Sequence, residues 1–356
     1  MRPESIRQEG GEEGRGALGR KIASALGEIT FHKVREEGFA NASANASLIA
    51  TGSSIEALRN TELIEGEDAL VIAAGPSLHR FETARIIKEA GYKGGIVATE
   101  SAMAWCLRHG IVPHLVVTLD PHAHRIVRWF GDPKLDEAAL ARDDYFARQD
   151  QDPNFRTNQL AFNRQLLALV NEFGPRMRIA VCSSAAAAVV NRVVESGMEA
   201  YWWNPMYDDY DKDDSLTVRI HASNNLPCVN AGGNVGSACW VFAHAVLGKR
   251  RVGLVGVDFG YYGDTPYSQT QYYKEILELV GPDRLDDVYV RFRNPHLGKE
   301  FYTDPAYLWY RDSFLEMALQ AQGECRTVNC TGGGILFGPG IQWTPLSEFL
   351  AESRTR

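Results

Sequence analysis

The chain has 356 residues, 45% of them hydrophobic and 23% charged, enough for one or two packed domains. Its formal net charge of −8 argues against sequence-independent nucleic-acid binding, and no apolar run approaches the roughly 18–20 residues that cross a bilayer. The six cysteines (Cys106, Cys182, Cys228, Cys239, Cys325, Cys330) are scattered without a CxxC pair, so small core residues of a reduced, cytoplasmic protein are expected rather than a zinc cluster.

Met1–Gly16 is polar, charged and glycine-rich; it lacks the apolar core of a signal peptide and is expected to be disordered. From Ala17 to Leu63 the pattern is irregularly helical, with NASANAS near Asn41 expected as a polar loop. Residues 1–67 therefore form an N-terminal extension, residues 68–342 the main domain and residues 343–356 a C-terminal tail. Strand and helix alternate from Ala69. Strands are expected at Ala69–Ala74, Gly95–Thr99, Leu115–Leu119, Arg178–Cys182, Ala200–Trp203, Val252–Val257 and Arg326–Asn329. Helices are expected at Phe81–Ala90, Ala102–His109, Ala185–Ser196, Val235–Leu247 and Tyr307–Gln320. Continuous apolar strands separated by helices give an α/β fold class: a Rossmann-like, mainly parallel sheet with helices on both faces.

In such sheets ligands bind outside the carboxyl ends of the strands. The strand Ala69–Ala74 breaks into Gly75, Pro76, Ser77 and Leu78. A glycine lets an anion approach, proline suits a first helical turn, and a helix N-terminus offers unpaired N–H groups, so this turn suits a phosphate or nucleotide. Ordinary strand-to-helix packing is the alternative. Glu100 and Ser101 follow the second strand, Asp120 the third and Asp258 a later one. Carboxylates beside a phosphate site hold Mg²⁺ or bind sugar hydroxyls, and each aspartate can instead cap a helix. Asp120 and Asp258 are the Mg²⁺ ligands if the chemistry needs a metal; no other cofactor is implied. His122 and His124 share a face if extended and form a weak candidate metal pair. Gly232, Gly233 and Asn234 precede Val235 as a second anion-friendly helix start. This segment lacks the full GxGxxG spacing and the chain has no GxxxxGK[ST] loop, which disfavours a dehydrogenase and a P-loop kinase. Tyr261, Tyr262 and Tyr267 lie in a loop past a strand end, able to hydrogen-bond a leaving phosphate, stack on a base or simply anchor the loop. His296 is a candidate general base.

GPSL after an apolar strand, ATESAMAWCLRHGIVPHLVVTLDP, GGNVGSACWVFAHAVLGKRRVGLVGVDFGY and VNCTGGG occur in that order. Across roughly Leu63–Gly340 this resembles the MptE-like family, which includes 6-hydroxymethylpterin diphosphokinases and motility-associated (Maf) flagellin glycosyltransferases. A remoter likeness is to bacterial sialyltransferases that use CMP-sialic acid, which also carry a GPSL turn and a strand-end Asp-Phe followed by two tyrosines. The resemblance implies a nucleotide or nucleotide-sugar substrate and an acceptor protein, glycan or pterin. Two chemistries follow from it. In one, a nonulosonic sugar moves from a CMP donor, with Tyr261, Tyr262 and Tyr267 on the departing phosphate and His296 as base. In the other, diphosphate moves from ATP with Mg²⁺. A nucleotide-binding protein without turnover is the third reading.

Overall fold

The computed structural model describes residues 16–60, 64, 66–122, 126–142 and 158–353. The expectation of disorder over Met1–Gly16 falls outside them but for Gly16, as does the role of His124.

The main sheet contains β1 (Ser53–Ser54), β2 (Asp68–Ile72), β3 (Gly95–Thr99), β4 (Leu115–Thr118), β5 (Arg178–Cys182), β6 (Glu199–Pro205), β7 (Cys228–Val229) and β8 (Arg251–Val255). A small second sheet is built from β9 (Tyr261–Tyr262), β10 (Val290–Arg293) and β11 (Glu300–Thr303). β12 (Arg326–Asn329) and β13 (Ile341–Trp343) then return to the main sheet. Its order is β1-β6-β5-β4-β3-β2-β8-β12-β13, with β7 beside β6. Each neighbouring pair in it is parallel. The expected α/β class is what the chain adopts. β1 lies within residues 1–67 and pairs with β6, and β13 straddles the expected boundary at residue 342.

β2 shows why the sheet is buried on both faces. Ala69 and Val71 pack with Trp240 and Phe242 on one side, while Leu70 and Ile72 pack with Leu78, Ile87 and Phe349 on the other. All four are fully buried, the run of apolar residues that a parallel strand covered by helices requires. At the opposite edge from the strand ends, Arg251 of β8 forks onto Asp68 of β2 at 3.0 and 3.1 Å. The same guanidinium donates to the Phe349 carbonyl at 2.7 Å, so this buried charge is paired and hydrogen-bonded.

Two expectations change. NASANAS is not a loop: helix Ala17–Ala44 runs through it and Ala46–Thr51 continues beyond. Asn41 and Asn45 lie four apart on one helical face and donate inward, Asn41 to the Pro121 and Ser184 carbonyls and Asn45 to those of Ser183 and Ala185. The helix expected over Val235–Leu247 is α-helical only through Val241 and ends in a π-turn, Phe242–Val246.

Candidate functional site

Strand order reverses between β2 and β8. From β2 the chain steps outward through β3, β4, β5 and β6; from β8 it steps the other way to β12. Register sets Ile72 beside both Ala98 and Val255, and Thr99 beside Val117, so these strands end level. A crevice at such a reversal is where open α/β sheets hold ligands. Here it is a cavity of about 600 Å³. Gly75 and Pro76, Glu100 and Ser101, Asp120, Gly232–Asn234, Asp258 and Tyr261 all line it.

The GPSL turn is held from within. Pro76–His79 forms a single 3-10 turn, and the following α-helix begins at Thr83. The Ser77 hydroxyl donates to Asp258 Oδ2 at 2.7 Å, and the Ser77 N–H lies 3.3 and 3.4 Å from the two carboxylate oxygens. The Gly75 N–H donates to the Gly256 carbonyl at 2.8 Å. A Cβ on Gly75 would stand 2.1 Å from Asp258 Oδ2, which is why no larger residue fits. Asp258 is 2% exposed; burial pushes its carboxyl up to about 7 against the pull of the Ser77 hydrogen bonds. The Ser77 amide expected to meet a phosphate is therefore engaged by the chain's own carboxylate. Ser77 and Leu78 lie behind the cavity wall, with Leu78 in the core.

Glu100 opens helix Glu100–Arg108 and is 3% exposed, with no hydrogen-bond partner on Oε2. Burial, reinforced by the Asp120 charge, pushes its carboxyl up to about 8 against the pull of its own backbone amide. Ser101 shares a hydrogen bond with Thr99, whose hydroxyl also caps the helix by accepting from the Ala102 N–H. Asp120 is half exposed and closes a turn by accepting the His122 N–H at 3.1 Å. The His122 ring faces Glu37 at 3.1 Å. No group of three or more metal-ligating side chains occurs among the described residues. Asp120 and Asp258 both line the cavity, and Asp258 also accepts from the Ser77 hydroxyl.

Gly232 and Gly233 have φ of +59° and +79°, and Asn234 caps helix Val235–Val241 through the Ser237 N–H at 2.9 Å. A Cβ on Gly233 would stand 2.6 Å from the Trp309 ring. The tyrosines separate. Tyr261 reaches the cavity, its hydroxyl donating to Asp304 at 3.2 Å and its ring stacking on Tyr307. The Tyr262 ring packs under the Arg80 guanidinium, and Tyr267 stacks on Tyr289 while donating to Asp286. His296 is exposed and stacks on Trp343. Tyr262, Tyr267 and His296 do not line the cavity.

Sequence reasoning passed over the opposite wall. Helix Pro305–Gln320 supplies Tyr307, Trp309 and Tyr310, joined by Tyr272. The run YLWY just after Asp304-Pro305 is the signal that could have found it. Among the described residues the lining carries Glu100, Asp120, Asp258 and Glu316 and no Lys, Arg or His.

Residues 40–140 match the family model described as MptE-like, 6-hydroxymethylpterin diphosphokinase MptE-like. The resemblance read from the sequence thus holds over that segment. No curated protein matches the chain. Among solved structures, the fold is similar to a Maf glycosyltransferase from Magnetospirillum magneticum AMB-1, with a TM-score of 0.54 and 15% identity. That match covers 90% of this chain and 41% of the other, so the chain spans about two fifths of that protein's length.

Proposed function

We propose that this chain, MptE-like across residues 40–140 and Maf-like in fold, is a nucleotide-dependent glycosyltransferase. It moves a nonulosonic, sialic-type sugar from a CMP-activated donor to a protein or glycan hydroxyl. The observation that carries the reading is the make-up of the cleft: four carboxyl side chains, two of them pushed toward neutrality by burial, and no cation among the described lining residues. Each phosphate charge set ~6 Å from a carboxylate costs about 3 kcal/mol at an effective dielectric constant of ~20. A CMP-activated nonulosonic acid carries one phosphodiester charge and the sugar's carboxylate; a triphosphate carries more. The aromatic wall of Tyr307, Trp309 and Tyr310 supports a planar base. Gly75 and Gly232–Asn234 offer close backbone approach to the phosphate, and Glu100, Ser101 and Asp120 face the cytidine or sugar. Asp258, whose carboxyl titrates near neutrality, and Asp120 take the acceptor's proton.

A second reading, transfer of diphosphate from ATP to a hydroxymethylpterin, is favoured by the description of the matched family. It requires Mg²⁺ to offset the triphosphate. Thermal shifts with CMP, CDP, CTP, AMP and ATP, each with and without Mg²⁺, separate the two. A ligand at about 100 times its Kd stabilises the fold by roughly 2.7 kcal/mol. Stabilisation by CMP without metal, followed by release of CMP on transfer, supports the glycosyltransferase. Stabilisation by ATP with Mg²⁺ alone supports the diphosphokinase, and binding without turnover leaves a nucleotide-binding protein.

A further inference from the structure

Glu100 is the one carboxyl group of the cleft that is both buried and unsatisfied. It is 3% exposed, lines the cavity, and its Oε2 has no partner. A buried polar atom left unpaired in this way costs free energy unless something binds it. The titratable groups facing it are Asp120 at the end of β4, which opposes its charge, and Cys239 on helix Val235–Val241, whose thiol is held neutral by burial and the Glu100 charge. The backbone amide of Glu100 favours the ionised carboxyl, and burial outweighs it. A neutral carboxyl is a donor as well as an acceptor.

We propose that Glu100 selects the base: its Oε2–H donates to an unprotonated ring nitrogen, N3 of cytosine or N1 of adenine. In uracil and guanine the equivalent atom carries hydrogen and meets the hydroxyl head-on. The assignment rests on the reading that the cleft takes a nucleotide. It also fixes the direction of the pH response. Once ionised, Glu100 accepts rather than donates, so it repels cytosine N3 and attracts the N3–H of uracil.

The test is isothermal titration of the full chain with CMP, UMP, AMP and 2′-deoxy-CMP at about pH 7 and about pH 9, on either side of the carboxyl's value of about 8. At the lower pH CMP binds about 10-fold or more tighter than UMP, the discrimination expected of a base-edge hydrogen bond. At the higher pH that preference shrinks or inverts. Glu100→Gln cannot ionise, so its ratio of CMP to UMP affinity no longer changes with pH. Glu100→Leu loses the preference altogether, and if it fails to fold the glutamine variant still decides. AMP binding as tightly as CMP means that the ring-nitrogen rule holds and that the rest of the cleft does not sort ring size. Equal affinity for CMP and UMP at both pH values overturns the proposal. So does a loss confined to 2′-deoxy-CMP, which would place Glu100 on the ribose. If no nucleotide binds, the proposed function falls with it.

Discussion

At the scale of single residues the cleft is defined by what it withholds from water. Asp258 titrates near 7 when folded, whereas an unperturbed aspartate titrates near 4. Between about pH 4 and about pH 7 the folded chain therefore holds a proton that the unfolded chain releases, and stability falls as pH rises through that window. Asp258→Asn is expected to flatten the fall in Tm across it and to abolish turnover. A wild-type profile that rises over the same range would contradict the burial argument. Gly75→Ala tests the packing of the turn, because the added methyl group meets Asp258 Oδ2 at 2.1 Å and the Gly256 carbonyl at 2.4 Å. The expected cost is about 1–3 kcal/mol, read by urea unfolding, together with weaker nucleotide binding. The glycine and the proline of this turn were legible because backbone shape alone demands them. The Ser77–Asp258 contact was not, since its partners stand 181 residues apart in the chain and no local pattern joins them.

At the scale of elements, the first long helix acts as a tether on the cleft rim. Asn41 holds the carbonyls of Pro121 and Ser184, two residues of the cavity wall, and Asn45 holds those of Ser183 and Ala185. Asn45→Ala leaves two carbonyls without their donor, and a loss of about 1–3 kcal/mol in unfolding free energy is expected. An unchanged denaturation midpoint would show that water replaces the amide. The alternation of strand and helix was legible because apolar runs report burial directly. The helical course of NASANAS was hidden because asparagine's preference for turns is overridden here by carbonyls supplied from another part of the chain. The loop tyrosines misled for a similar reason. Tyr262 lies on β9 and not in a loop, and it and Tyr267 settle against Arg80 and Tyr289.

At the scale of the whole molecule, the strand reversal between β2 and β8 concentrates the expected ligand contacts. Saturating nucleotide should slow amide hydrogen exchange around Ala73–Gly75, Gly232–Asn234 and Gly256–Asp258, and leave Tyr267 and His296 untouched. Slowing confined to the small second sheet would move the site away from the reversal. His296→Ala, with its ring on Trp343 and outside the cavity, should leave nucleotide affinity unchanged. Among the described residues no helix is long and apolar enough to cross a membrane.

The same reversal has a consequence for synthesis. β2 through β6 can assemble once residue 205 has emerged, yet the other flank of β2 stays open until β8, which begins at Arg251. At ~5–20 residues per second, the interval from the end of β2 to the start of β8 lasts about 10–40 s. Through it the apolar run Ala69–Ile72 and the unpaired Asp68 offer an open strand edge to any neighbouring nascent chain. A ribosome stalled shortly before Arg251 would thus present the most aggregation-prone species this sequence forms, and co-translational chaperones should engage it there.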